Sequence, residues 1–149
     1  MHGWQELTAE EFATEQGIGT KHEKTASGEF RFRLVAGDGS SYVRTIASDA
    51  GGWQHSHYHR SIVETYIVQA GWIALVEYQQ SNLTWHILSA NEVYTTTTGV
   101  AHNVYLPAGT VLHTVKHGDG GAKDWHAHDE LDKLTRSLNE SSIPRTLIH

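Results

Sequence analysis

From Glu29 onward the chain alternates. In EFRFRLVAG, Phe30, Phe32 and Leu34 fall on one face of an extended segment and Arg31 and Arg33 on the other. SYVRTIAS follows the turn signal GDGS, and after it come ETYIVQ, WIALVEY, LTWHIL, NEVYTTTT, HNVYL and TVLHTVKHG. These segments are short, rich in β-branched and aromatic residues, and separated by Gly, Asn, Ser or Pro. Strands this short and this closely spaced predict an all-β sandwich or barrel. Two stretches break the alternation. Thr8 with Glu11 three residues on forms a capping box, which predicts a short N-terminal helix over TAEEFATEQ. In DWHAHDELDKLTRSLNE, Leu131, Leu134 and Leu138 stand at helical spacing among charges, which predicts an amphipathic helix over about 124–140. It would pack on the outside of the barrel or on a partner chain.

The chain has 149 residues and only two prolines, with no linker, charge block or repeat that would divide it. One domain is expected over 1–149, with a barrel core over about 28–120. Hydrophobic residues at 38% and charged residues at 19% are an ordinary globular balance. A net charge of −6 gives no electrostatic reason to expect nucleic acid or an anionic membrane as partner. No apolar run reaches the length of a bilayer span, and the first residues lack the pattern of a secretory signal. There are no cysteines, which removes disulfides, thiolate ligands and a cysteine nucleophile and fits a cytoplasmic location. The composition is unusual in its 12 histidines. Any metal site here must use nitrogen and oxygen donors.

Histidines concentrate in GGWQHSHYHRSIVETYIVQAG, Gly51 to Gly71. On a strand, His57 and His59 project to one side, with backbones roughly 6–7 Å apart. Glu64 opens the next strand-like segment, and a hairpin would bring its carboxylate beside them. His102 begins another strand and offers a fourth donor. Three imidazoles and one carboxylate suit one divalent transition metal ion: Fe, Mn, Ni, Zn or Co. They leave open positions on an octahedral ion for a small molecule.

The same segment resembles the first motif of the cupin superfamily, which runs Gly, five residues, His-x-His, three or four residues, Glu, six residues, Gly. Here Gly51, His57, His59, Glu64 and Gly71 stand at every fixed position. The second motif runs Gly, five residues, Pro-x-Gly, two residues, His, three residues, Asn, and it is matched in part. Gly99 and His102 are in place, while Asn91 stands for the first glycine, Thr97 for the proline and Leu106 for the asparagine. The resemblance implies a cupin-type jelly-roll β-barrel with the metal inside one end, held by His57, His59, Glu64 and His102. It also implies a homodimer, for which the long EFRFRLVAG strand is a candidate edge.

Cupins include enzymes and binding proteins. The expected function is a metal-dependent enzyme on a small polar organic molecule, by Lewis-acid isomerase, epimerase, lyase or cyclase chemistry. The alternatives are an Fe(II)-dependent dioxygenase and a non-catalytic module that binds a metal or small ligand. His55 shares the parity of His57 and is a candidate acid–base group, a hydrogen-bond donor to a ligand residue, or a rim residue. Tyr66 shares the face of Glu64, either to hydrogen-bond substrate or to fill the barrel. VLHTVKHG puts Thr114 and Lys116 on one face and His113 and His117 on the other; either set could line a pocket, and the simplest reading is a solvated edge strand. Arg44 is a candidate anion clamp or a surface residue. His126 and His128 lie near a predicted helix start, where they would not converge, and His2, His22 and His149 have no evident partner.

Overall fold

The structure is a computed structural model, and it describes residues 6, 8, 11, 15–118 and 123–144. Among these, the strands are β1 (Ile18–Thr20), β2 (Glu23–Lys24), β3 (Phe30–Ala36), β4 (Ser41–Ile46), β5 (Gly52–Trp53), β6 (His57–Tyr58) and β7 (Val63–Ala70). They continue with β8 (Trp72–Gln79), β9 (Asn82–Ser89), β10 (Val93–Thr95), β11 (Ala101–Leu106), β12 (Val111–His117) and β13 (His126–Ala127), and one helix, α1, covers Asp129–Arg136. Two antiparallel sheets face each other as an all-β jelly roll. One has the order β1-β3-β4-β12-β7-β10, with β2 also on β3; the other runs β13-β6-β11-β8-β9, with β5 also on β11.

One end of the space between the sheets is apolar. Tyr66 and Val68 of β7, Ile73 and Leu75 of β8, Leu88 of β9, Val104 and Leu106 of β11, and Leu112 of β12 close on one another there. Toward the other end, the inward positions of the same strands are polar: Glu64 on β7, His102 on β11, Thr114 and Lys116 on β12. Burial along β7 alternates, so Glu64, Tyr66 and Val68 point in while Thr65 and Ile67 point out.

Strand β3 has its polar face inward. Arg31 pairs with Thr45 and Arg33 with Val43, both buried, so the arginines share the inward side. Phe30 and Phe32 point out and are 51% and 44% exposed. This follows from what lies inside: Arg31 Nε bonds the buried Glu29 at 2.7 Å, and a charged cavity sits beneath. Nor is β3 an edge, because β1 and β2 flank one side and β4 the other. It is therefore not the free edge that the sequence suggested. TVLHTVKHG is likewise no edge strand, since β12 is central between β4 and β7.

The outer side of β11 is also covered. All six of its residues are buried: the inward ones between the sheets, Ala101 and Asn103 under α1, and Tyr105 beside Ile143. Leu131 is fully buried beside Val76 and Ala101, and Asn103 Nδ2 bonds Thr135 Oγ1 at 3.0 Å. The helix is shorter than the expected 124–140, because His126 and Ala127 pair with Tyr58 and His57 as β13, and His128 then caps α1 through its Nδ1 on the Leu131 N–H. The predicted N-terminal helix falls mostly outside the described residues. Its reciprocal capping bonds are present, Thr8 N–H to Glu11 Oε2 at 2.8 Å and Glu11 N–H to Thr8 Oγ1 at 3.2 Å. No helix among the described residues is long and apolar enough to cross a membrane.

Candidate metal centre

The turns that deliver the site depend on backbone shape. Gly51 has φ +68°, and a Cβ there would meet the Leu106 carbonyl at 2.8 Å; Gly71 has φ +78°, with Thr110 Oγ1 as close. Asn91, in place of a motif glycine, takes φ +73°, a conformation asparagine tolerates better than most residues. Leu106, in place of the motif asparagine, is core.

Strand register then converges the donors. His102 pairs with His57 across β11 and β6, His59 follows directly after β6, and Glu64 comes in from the opposite sheet. One ligating atom from each of the four lies within 4.8 Å of the other three, and all four residues are buried. The histidines share one arrangement. Each Nδ1 faces a backbone carbonyl: that of His55 for His57 at 2.8 Å, of Asp124 for His59, and of Val100 for His102 at 3.3 Å. Donation there puts the Nδ1–H on the ring and leaves Nε2 as a lone pair. The Nε2 atoms turn to Glu64 at 3.4, 3.0 and 2.7 Å respectively. His59 Nε2 is buried without a hydrogen-bond partner.

Three lone pairs aimed at a buried carboxylate repel it unless a cation or protons lie between. The donor set thus fits a divalent ion, with neutral imidazoles and an ionised carboxylate as ligand chemistry requires. Burial opposes the charge on Glu64, but in rings that carry a proton on Nε2 the hydrogen bonds from His102, His57 and His59, with the charge of Lys116, outweigh it and hold its pKa well below the usual range; an ion would take the place of those protons. Burial also pushes His57 down, toward the neutral form, against the pull of Glu64. Tyr66 donates its hydroxyl to Glu64 Oε2 at 2.5 Å; burial and the neighbouring carboxylate raise its pKa, so it stays a phenol.

A cavity of about 230 Å³ opens onto His57, Glu64 and Tyr66, with Arg31, Arg33 and Lys116 among its walls. Lys116 faces Glu64 in register across β12 and β7, and its Nζ lies 3.1 Å from Glu64 Oε1. His55 lies outside a strand, between β5 and β6, and is exposed at the rim of this cavity. Its carbonyl orients His57. Trp125, between β12 and β13, stacks on His57 with ring centroids 5.3 Å apart. Arg44 is turned outward with Phe30 and Phe32, so Arg31 and Arg33 are the arginines of the cavity. His113 is bonded outside the barrel to Tyr42 and Gln69, and His117 to Thr65. His22 stacks on Phe32, and His126 on Tyr58. His2 and His149 lie outside the described residues.

Sequence reasoning missed Asp124. Its carboxylate accepts the N–H groups of Arg60, Ser61 and Ile62 at 2.8–2.9 Å, and its carbonyl receives His59 Nδ1–H. It fixes the loop between His59 and Glu64 from 62 to 64 positions away along the chain. Glu77 was missed too: it sits opposite His102 in register, accepts the Tyr94 hydroxyl and lies 2.8 Å from His86 Nε2.

No protein-family model matches the chain, and no curated protein matches it by sequence. Solved structures match its fold. Oxalate decarboxylase from Bacillus subtilis, a protein with Mn(II) centres, aligns with TM-score 0.59 and 10% identity over 87% of this chain and 37% of its own. An uncharacterised protein with a double-stranded β-helix domain from Klebsiella pneumoniae gives 0.56 and 18%, over 71% of this chain and 90% of its own. The capsular polysaccharide assembling protein CapF from Staphylococcus aureus gives 0.57 and 17%, over 73% and 34%. The chain thus spans little more than a third of the decarboxylase and of CapF. The fold is the cupin-type double-stranded β-helix, and it carries a buried cluster of three histidines and a glutamate.

Proposed function

We propose that the protein is a metal-dependent enzyme that acts on a small polar organic molecule by non-redox chemistry. The observation that carries this reading is a polar cavity lined by His57 and Glu64, two of four buried donors whose ligating atoms lie within 4.8 Å of one another. His57, His59, Glu64 and His102 would hold one divalent transition metal ion. A bound ion of this kind polarises oxygen substituents of a substrate as a Lewis acid. Around it, the chain supplies groups for other tasks. Tyr66 fixes the second oxygen of Glu64. Lys116, at the cavity wall, bears on any negative charge that develops there. His55, exposed at the rim, is the residue we assign to proton exchange with solvent. Trp125 shields the face of His57.

The test is turnover of a panel of hydroxy-, keto- and amino-substituted small molecules by protein loaded with Mn(II) or Zn(II) under anaerobic conditions. Product formation without oxygen supports the reading. Oxygen consumption restricted to Fe(II)-loaded protein would overturn it in favour of an oxygenase. Tight binding with no turnover would overturn it in favour of a binding module.

A further inference from the structure

The cavity holds more cationic charge than its metal centre needs. Arg31 and Arg33 on β3 and Lys116 on β12 all line it, although the same positions could have carried the apolar residues that β3 turns outward. In the described structure each cation has a carboxylate partner. Arg31 bonds Glu29 at 2.7 Å and approaches Glu23 at 3.6 Å; Arg33 meets Glu23 at 3.0 Å; Lys116 meets Glu64 at 3.1 Å. Three cations thus face three carboxylates, while Asp124, at the adjoining groove, is occupied by backbone N–H groups. A divalent ion on Glu64 would compensate that carboxylate itself, and the Lys116 ammonium would then lack its partner beside the two arginines.

The partners are not equivalent. Glu29 is buried and also accepts Gln54 Nε2 at 3.1 Å, so it is a fixed part of the wall. Glu23 sits on the two-residue strand β2, with its side chain 34% exposed, and it bridges both arginines at the cavity mouth. It holds the place an incoming carboxylate would take.

We propose that Arg31, Arg33 and Lys116 form an anion subsite beside the metal centre, that it binds the carboxylate of a small organic acid, and that Glu23 occupies it until that acid arrives. This rests on the metal-dependent reading above and names its substrate class. A planar guanidinium receives a carboxylate through two parallel N–H bonds, which neutral polar groups do not match. A cavity of about 230 Å³ suits a small acid, since it falls below the roughly 300 Å³ lower bound of pockets for drug-sized ligands.

The experiment uses the full chain loaded with Mn(II), with metal content measured first. Formate, acetate, malonate and succinate are titrated against formamide, acetamide, malonamide and succinamide, by calorimetry and by intrinsic tryptophan fluorescence. At least one acid should bind about tenfold or more tighter than its amide. Arg33→Met and Lys116→Met should each remove about tenfold of that affinity with metal content unchanged, and Glu23→Gln should raise it several-fold. All three targets are partly exposed, so their replacement should leave the fold intact. Equal binding of every acid and amide would overturn the subsite, as would acid affinity indifferent to Arg33→Met or lowered by Glu23→Gln. Protein that takes up no metal would instead refute the metal-dependent reading and the proposal with it. Metal uptake without acid preference refutes the subsite alone.

Discussion

Each imidazole of the cluster is set by a backbone carbonyl behind it, and for His59 that carbonyl belongs to Asp124. The side chain of the same residue holds Arg60, Ser61 and Ile62. Asp124→Ala should therefore lower Mn(II) affinity by about 10–100-fold, measured by calorimetry, though Asp124 is not among the ligands. Its charge also links stability to pH. Burial works against the carboxylate, but the N–H groups of Arg60, Ile62 and Ser61, with His126, outweigh it and hold its pKa below the usual range. A folded value below the unfolded value of about 3.9 means the stabilisation is complete above that pH and is lost as pH falls through the folded value. The gap in Tm between wild type and Asp124→Asn should be full above about pH 5 and should narrow progressively as pH falls below about 4. A gap constant down to pH 2 would contradict the assignment.

Among the elements, α1 packs on β11, the strand that carries His102. Leu131 is fully buried against Val76 and Ala101, so Leu131→Ala should cost about 2–5 kcal/mol in urea unfolding. Leu134, 39% exposed on the same helix, should cost far less when truncated. The leucine spacing made this helix legible, but not its start. His126 and Ala127 are drawn into β13 by Tyr58 and His57, partners almost seventy residues away that local periodicity does not register. Period two in EFRFRLVAG was equally legible. It separates two faces without saying which is inside, and in β3 the inner one is the charged one. Lys116 was obscured in the same way, because whether β12 is edge or centre depends on its neighbours β4 and β7.

At the scale of the whole molecule, the sheets are apolar between themselves at one end and polar at the other, and the donors collect at the polar end. That division was partly written in the chain. His57, His59, Glu64 and His102 stand at spacings that any such barrel would bring together, whereas Asp124, Arg31 and Arg33 acquire their places only through long-range pairing. The central claim is that these four donors hold an ion, and metal content tests it most directly. Elemental analysis of protein purified without a histidine tag should find about one equivalent of a divalent transition metal per chain, and Glu64→Ala should lose most of it while remaining folded. Metal-free wild-type protein that takes up none on reconstitution, or a Glu64→Ala variant with undiminished content, would contradict the account.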